Sequence, residues 1–319
     1  MIARSCAIRD PVIVLRVAAL LLVASGCDVA FPLEAPPITA CGIYAEPVAV
    51  EFDPSLQNLS QFSVDGSGTH GLVHAMNAAT NREGLTPIVK MGEVWIFDLK
   101  LEMGLELLET QTNAGVKVAN LTAKGELFGG QQSAASSDLE VYHYKPDVPG
   151  TGWLAVENEA VSSRAGQSTT PGGEIEVLDP NIMKLFRSIP VVHQDVPTLR
   201  RTIEIAFSHP VDNPFSWVDQ TQAGASVTAE INAVHEPTQG ALARSPREGG
   251  PLALVYAATP IGKTGSDLFV SEKHNGTYPI GIRLAELSTS ADEVEPFVNE
   301  DCSAIYFRRG DTIMMAVRE

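Results

Sequence analysis

The chain has 319 residues, 44% of them hydrophobic, with 26 Gly and 21 Pro. That apolar content suffices for a core and excludes wholesale disorder, and the length fits one large β domain or two ordinary ones. A formal net charge of −17 would repel a phosphate backbone, so nucleic acid is excluded as a partner.

Residues 1–26 read as an address rather than as structure. Arg4, Arg9 and Arg16 precede the apolar run Val17–Val23, too short to span a bilayer as a stable helix, and Ala24-Ser25-Gly26 then lead into Cys27. Small residues directly before a Cys resemble a bacterial lipobox. The resemblance implies cleavage before Cys27 and lipid attached to its sulfur and new amine, with an ordinary secretory signal as the competing reading. It implies a place in the bacterial cell envelope, on the periplasmic side of either membrane or at the cell surface. Loss of the leader would remove three Arg and one Asp, leaving −19. Residues 27–43 then form a tether, whose segment Asp28–Ala40 carries three Pro and no periodicity. Residues 44–319 form the folded domain.

Within that domain short β-rich segments recur. Val94–Phe97, Leu139–Tyr142, Ile203–Ala206, Leu268–Val270 and Ile313–Met315 start 45, 64, 65 and 45 residues apart. Each follows another short strand: Leu72–Met76, Glu126–Phe128, Met183–Phe186, Leu252–Tyr256 and Ala304–Phe307. Turn residues such as Asp65-Gly66, Lys124-Gly125 and Glu248-Gly249-Gly250 stand just upstream. Trp153 and Trp217 both lie 14 residues past the first residue of their segment. Five units of about 45–65 residues in an all-β chain read as propeller blades, with a β-sandwich carrying long loops as the alternative. Leu99–Thr110 has helix-forming residues but is interrupted by Gly104, and in a propeller it would be a strand or loop at a blade edge.

The last unit is the most specific. Asp267–Ser271 meets a polar turn with Tyr278-Pro279, the run Ala291-Asp292-Glu293 leads into Glu295-Pro296-Phe297, and an acidic turn precedes Ala304–Phe307. This order resembles the WD40-like repeat called PD40, found in TolB-type propellers and bacterial lipoproteins. The resemblance implies an all-β propeller and assigns the Asp292-Glu293 run to turn architecture. Five blades are favoured by the countable units, six by the TolB-type relatives, and the chain lacks the separate N-terminal α/β domain of the TolB kind. The chain ends on Thr312–Val317, and the first strand-like stretch, Pro47–Phe52, has no earlier partner. Pairing these two would complete the last blade and cover two edges. That closure brings Cys41 near Cys302, the two cysteines left once Cys6 departs and Cys27 is lipidated. In an oxidising compartment they are expected to form a disulfide, with two buried free thiols as the alternative.

Chemistry is sparse. His70 and His74 are four apart, which in a strand puts them roughly 13 Å apart, too far to chelate one ion; no metal site and no cofactor are expected. No nucleophile elbow, P-loop or dinucleotide fingerprint occurs, and Gly68-Thr69-His70-Gly71 reads as a hairpin. No catalytic residue is assigned. The leading expectation is a lipid-anchored, non-enzymatic binding or scaffold module that grips an envelope protein or a peptidoglycan or other glycan. The alternative is a polysaccharide hydrolase using paired carboxylates at the channel mouth, drawn from Asp195, Glu236, Asp292, Glu293 and Glu295.

Overall fold

The computed structural model describes residues 41–101, 116–121, 125–132, 139–146, 153–155, 175–179, 182–192, 199–208, 217–218, 227–244 and 252–319. All of these lie in one compact unit, Ile38–Glu319. Cys27 and Asp195 fall outside the described residues.

In chain order the strands begin with β1 (Val48–Ala49), β2 (Glu51–Phe52), β3 (Leu56–Val64), β4 (His70–Asn77), β5 (Arg82–Met91) and β6 (Val94–Phe97). There follow β7 (Val116–Leu121), β8 (Leu127–Gln132), β9 (Leu139–Pro146) and β10 (Trp153–Ala155), then β11 (Ile175–Asp179), β12 (Ile182–Val192), β13 (Leu199–Ser208) and β14 (Trp217–Val218). After a short helix, Ala229–Val234, come β15 (His235–Arg244), β16 (Leu252–Pro260), β17 (Asp267–Glu272) and β18 (Ile282–Arg283). The chain closes with β19 (Glu293–Val298), β20 (Ala304–Arg309) and β21 (Thr312–Val317).

Among the described residues these strands form five sheets, in the orders β2-β6-β5-β4-β3, β10-β9-β8-β7, β11-β12-β13-β14, β15-β16-β17-β18 and β1-β21-β20-β19. The fold is all-β and propeller-like. Each of the five repeat units supplies one sheet. Trp153 and Trp217 share an offset because each opens the outermost strand of its sheet, β10 and β14.

Alternation explains why the strands of the last two sheets read as continuous apolar runs. Ala253 to Ala258 of β16 are all fully buried. Ala253, Val255 and Ala257 join one core cluster, while Leu254, Tyr256 and Ala258 join another. Successive side chains point to opposite faces, so both faces of this sheet are covered. β20 behaves likewise: Ile305 and Phe307 pack with the β15–β18 sheet, whereas Ala304 and Tyr306 pack with Phe62, Val73, Ile88 and Trp95 of the first sheet. Full burial of each such aliphatic or aromatic side chain contributes about 1.5–3 kcal/mol.

The expected closing strand Pro47–Phe52 is divided. β1 pairs antiparallel with β21, Val48 opposite Met315, and the Val50 N–H donates to Ile313 O at 2.8 Å. β2 instead runs parallel to β6, Glu51 opposite Val94, and the Asp53 N–H donates to Trp95 O at 2.8 Å. The N-terminal stretch thus serves the last sheet and then the first, because a single strand cannot lie along both. Cys41 and Cys302 are disulfide-bonded, their Cα atoms 5.2 Å apart and both fully buried.

One local expectation is corrected. Leu99–Leu101 form a helical turn, not a strand or loop. Asp98 Oδ1 accepts the N–H groups of Lys100 and Leu101 at 3.0 and 3.2 Å, a helix N-cap. Residues 102–110 of that segment lie outside the described residues.

Candidate functional site

The strands β3, β7, β11, β15 and β19 each stand at one end of their sheet, and each lies beside the next, with β19 beside β3. They are termed inner strands below. Every one of them pairs irregularly with its neighbour: the register shifts between Gln57 and Ser63, Val116 and Val118, Val177 and Asp179, Pro237 and Gln239, and Val294 and Phe297. Bulges bend a strand and re-aim its side chains, and they concentrate near active sites. Asn58, Gln61 and Glu295 hold positive φ of 54°, 50° and 55°, a conformation that costs an L-residue about 1–2 kcal/mol.

The acidic residues expected at a channel mouth divide into two kinds. Asp292 Oδ1 accepts the Ser266 N–H at 2.8 Å, and the Glu293 N–H donates to Ser266 O at 2.8 Å. Glu293 is fully buried. Its Oε1 accepts from Thr289 Oγ1 at 2.7 Å and from Arg309 Nε at 2.9 Å, and its Oε2 from the Thr289 N–H at 3.2 Å. Arg309 also donates to Leu287 O at 2.6 Å and lies 5.3 Å from the Phe307 ring centroid. Glu295 receives Arg308 Nε and Nη2 at 2.8 and 2.9 Å, and its Oε2 also accepts the Gln61 N–H of β3 at 3.0 Å. These three carboxylates brace turns and join neighbouring sheets, so their place in a catalytic pair is corrected. A buried carboxylate persists only with such partners.

Glu236 is the other kind. It is the second residue of β15, next to the bulge, and half-buried. Among the described residues no side chain bonds its carboxylate. Glu176 holds the corresponding second position on β11, the inner strand beside β15. Sequence reasoning missed Glu176. The signal that could have found it is its place one residue into a strand that opens a repeat unit.

His235, beside Glu236, is buried and lies with its Nδ1 2.8 Å from Tyr256 Oη. Burial lowers the pKa of His235 and raises that of Tyr256. His70 and His74 both sit on β4, opposite Val89 and Leu85. His70 Nδ1 instead meets Asp65 Oδ2 at 3.4 Å and Thr69 Oγ1 at 3.1 Å, inside the hairpin expected at Gly68–Gly71. Among the described residues no group of three His, Cys, Asp or Glu side chains is placed to hold a metal ion. No described helix is long and apolar enough to cross a membrane.

No protein-family model matches the chain, and no curated protein matches it. Solved structures do. A thermostable family-43 glycoside hydrolase is 12% identical with a TM-score of 0.49, over 82% of this chain and 88% of that one. The endo-arabinase from Bacteroides thetaiotaomicron is 11% identical with a TM-score of 0.45, over 86% and 97%. TolB from Acinetobacter baumannii is 10% identical with a TM-score of 0.40, over 82% of this chain and 55% of that one. The expectation of a non-catalytic binding or scaffold module under a WD40-like, TolB-type label is corrected: the solved structures that match include glycoside hydrolases as well as TolB. Likeness at 10–12% identity concerns architecture alone.

Proposed function

We propose that the chain is a closed, five-bladed β-propeller that hydrolyses a polysaccharide, exported and held at the cell envelope by lipid on Cys27. The pairing of β1 with β21 and the unbroken succession of inner strands support the closed form. The observation that carries the chemistry is Glu236, half-buried on a bulged inner strand without a bonded side chain among the described residues. Glycoside hydrolysis needs two carboxyl groups flanking the scissile bond, roughly 5–9.5 Å apart. One gives a proton to the departing glycosidic oxygen; the other activates water or attacks the anomeric carbon. Arg308 and Arg309 occupy Glu295 and Glu293, whereas Glu236 has no such partner among the described residues, and Glu176 is its partner by position.

The test is release of reducing ends from arabinan, xylan, mannan and peptidoglycan by the full chain. Glu236→Gln and Glu176→Gln should each lower the rate by roughly 10²–10⁴-fold, the contribution of a positioned acid or base, with unchanged melting. Two results defeat the proposal: no reducing ends from any of the four polymers, or full activity in Glu236→Gln.

A further inference from the structure

His235 opens β15 immediately before Glu236. Its ring sits between Tyr256 of β16 and Phe269 of β17, with ring centroids 5.7 and 4.3 Å away. The Tyr256 oxygen that meets His235 Nδ1 also accepts the Gly281 N–H at 3.0 Å, just before β18. Only a glycine leaves room for that bond, because a Cβ at position 281 would come within 2.7 Å of the Tyr256 side chain. Tyr256 is fully buried, so its one O–H must find an acceptor, and His235 Nδ1 is within reach. The neutral imidazole therefore carries its proton on Nε2. A protonated ring would present an N–H to the tyrosine oxygen, and the O–H could give way only by turning toward the Gly281 N–H, setting donor against donor.

The surroundings oppose a charge there as well. Tyr256 is the titratable group facing the ring from β16, and β17 contributes the apolar Phe269. Tyr278 belongs to the same cluster as Tyr256 and Phe269, and the preceding helix carries Glu230, whose side chain is exposed. Burial is the cause that lowers the pKa of His235.

We infer that the chain His235–Tyr256–Gly281 is a pH-responsive positioning device: proton uptake by His235 breaks its bond to Tyr256, frees the segment 279–283, and shifts the start of β15. That the shift reaches a catalytic group rests on the role proposed above for Glu236; the device itself does not. His235 is a positioning residue and touches no substrate in this scheme.

Hydrogen exchange of the full chain, compared between about pH 8 and about pH 5 with intrinsic rates corrected, tests the device. Segments 235–240 and 278–284 should exchange roughly tenfold faster at the lower pH, with β20 unchanged, as expected for opening of a local unit. His235→Gln should remove the difference. Tyr256→Phe, nearly isosteric and lacking the O–H, should leave 278–284 exchanging alike at both pH values. Equal protection of the wild type at both pH values overturns the inference, as does a pH response that persists in His235→Gln. Absent hydrolysis with a normal exchange response defeats only the enzyme reading. Hydrolysis without the exchange response defeats only the device.

Discussion

Replacing both Cys41 and Cys302 by alanine should destabilise the fold through the unfolded chain more than through the folded one. The bond spans 261 residues of sequence, so the chain-entropy relation gives a ceiling of about 5–6 kcal/mol at 25 °C, and about 2–5 kcal/mol is the usual loss for a native bond. At about 2–4 °C per kcal/mol for a domain of this order, the double variant should melt about 5–15 °C lower. Cys302 adds a second term, because it sits at φ +59° and donates its N–H to Asn299 O at 2.8 Å. Glycine at 302 would relieve that conformation, so Cys41→Ala with Cys302→Gly should recover about 1 kcal/mol relative to the double alanine variant. Thermal unfolding by circular dichroism without reductant measures both differences, after mass analysis of the wild type confirms the bond. A double variant melting within about 1 °C of the oxidised wild type would refute the reasoning, since a loop of this length cannot be closed at negligible entropic cost.

Other substitutions probe the remaining contacts. Glu293→Gln leaves Arg309, only 22% exposed, without its buried counter-charge, and should cost about 3–5 kcal/mol in a urea melt; a loss below 1 kcal/mol would mean the pair is dispensable. Gly281→Ala should cost about 1–3 kcal/mol by overpacking against Tyr256, and combining it with Tyr256→Ala, which removes the clash, should show non-additive losses in the same melt. The pH dependence of stability follows from the lowered pKa of His235. Below about pH 6.5 the unfolded chain binds a proton there that the folded chain resists. Stability should hold above neutrality and fall as the pH drops below that value, and His235→Gln should flatten the urea midpoint over this interval.

Much of the architecture was legible in the sequence because it is set by local periodicity and turn chemistry. Val94–Phe97 is a strand to the residue, and the paired short strands of all five units recur as neighbours within a sheet or one strand apart. The hairpin at Gly68–Gly71 was readable for the same reason, since Asp65 and His70 meet across one turn. The division of Pro47–Phe52 was not readable. Which carbonyl its N–H groups meet depends on two sheets that are over two hundred residues apart in sequence, Ile313 on one side and Trp95 on the other. Asp98 escaped notice as a cap because Gly104, six residues later, breaks the run of helix-forming residues in the sequence.

The site shows the sharper contrast. Glu236, Glu293 and Glu295 look alike in sequence, each at or near the start of an inner strand. Arg308 and Arg309 are a further thirteen and sixteen residues along, and only the β19–β20 pairing swings their guanidinium groups onto Glu295 and Glu293. That Glu236 meets no such partner among the described residues is likewise a property of packing. Sequence by itself determined the all-β class, the five repeat units and the pair of cysteines available for a bond, because strand period, turn residues and cysteine count are local quantities. Tertiary structure decided which acids are neutralised, where the N-terminal strand divides and which tyrosine takes the His235 bond, because charge pairing and burial depend on groups brought together only when the sheets pack.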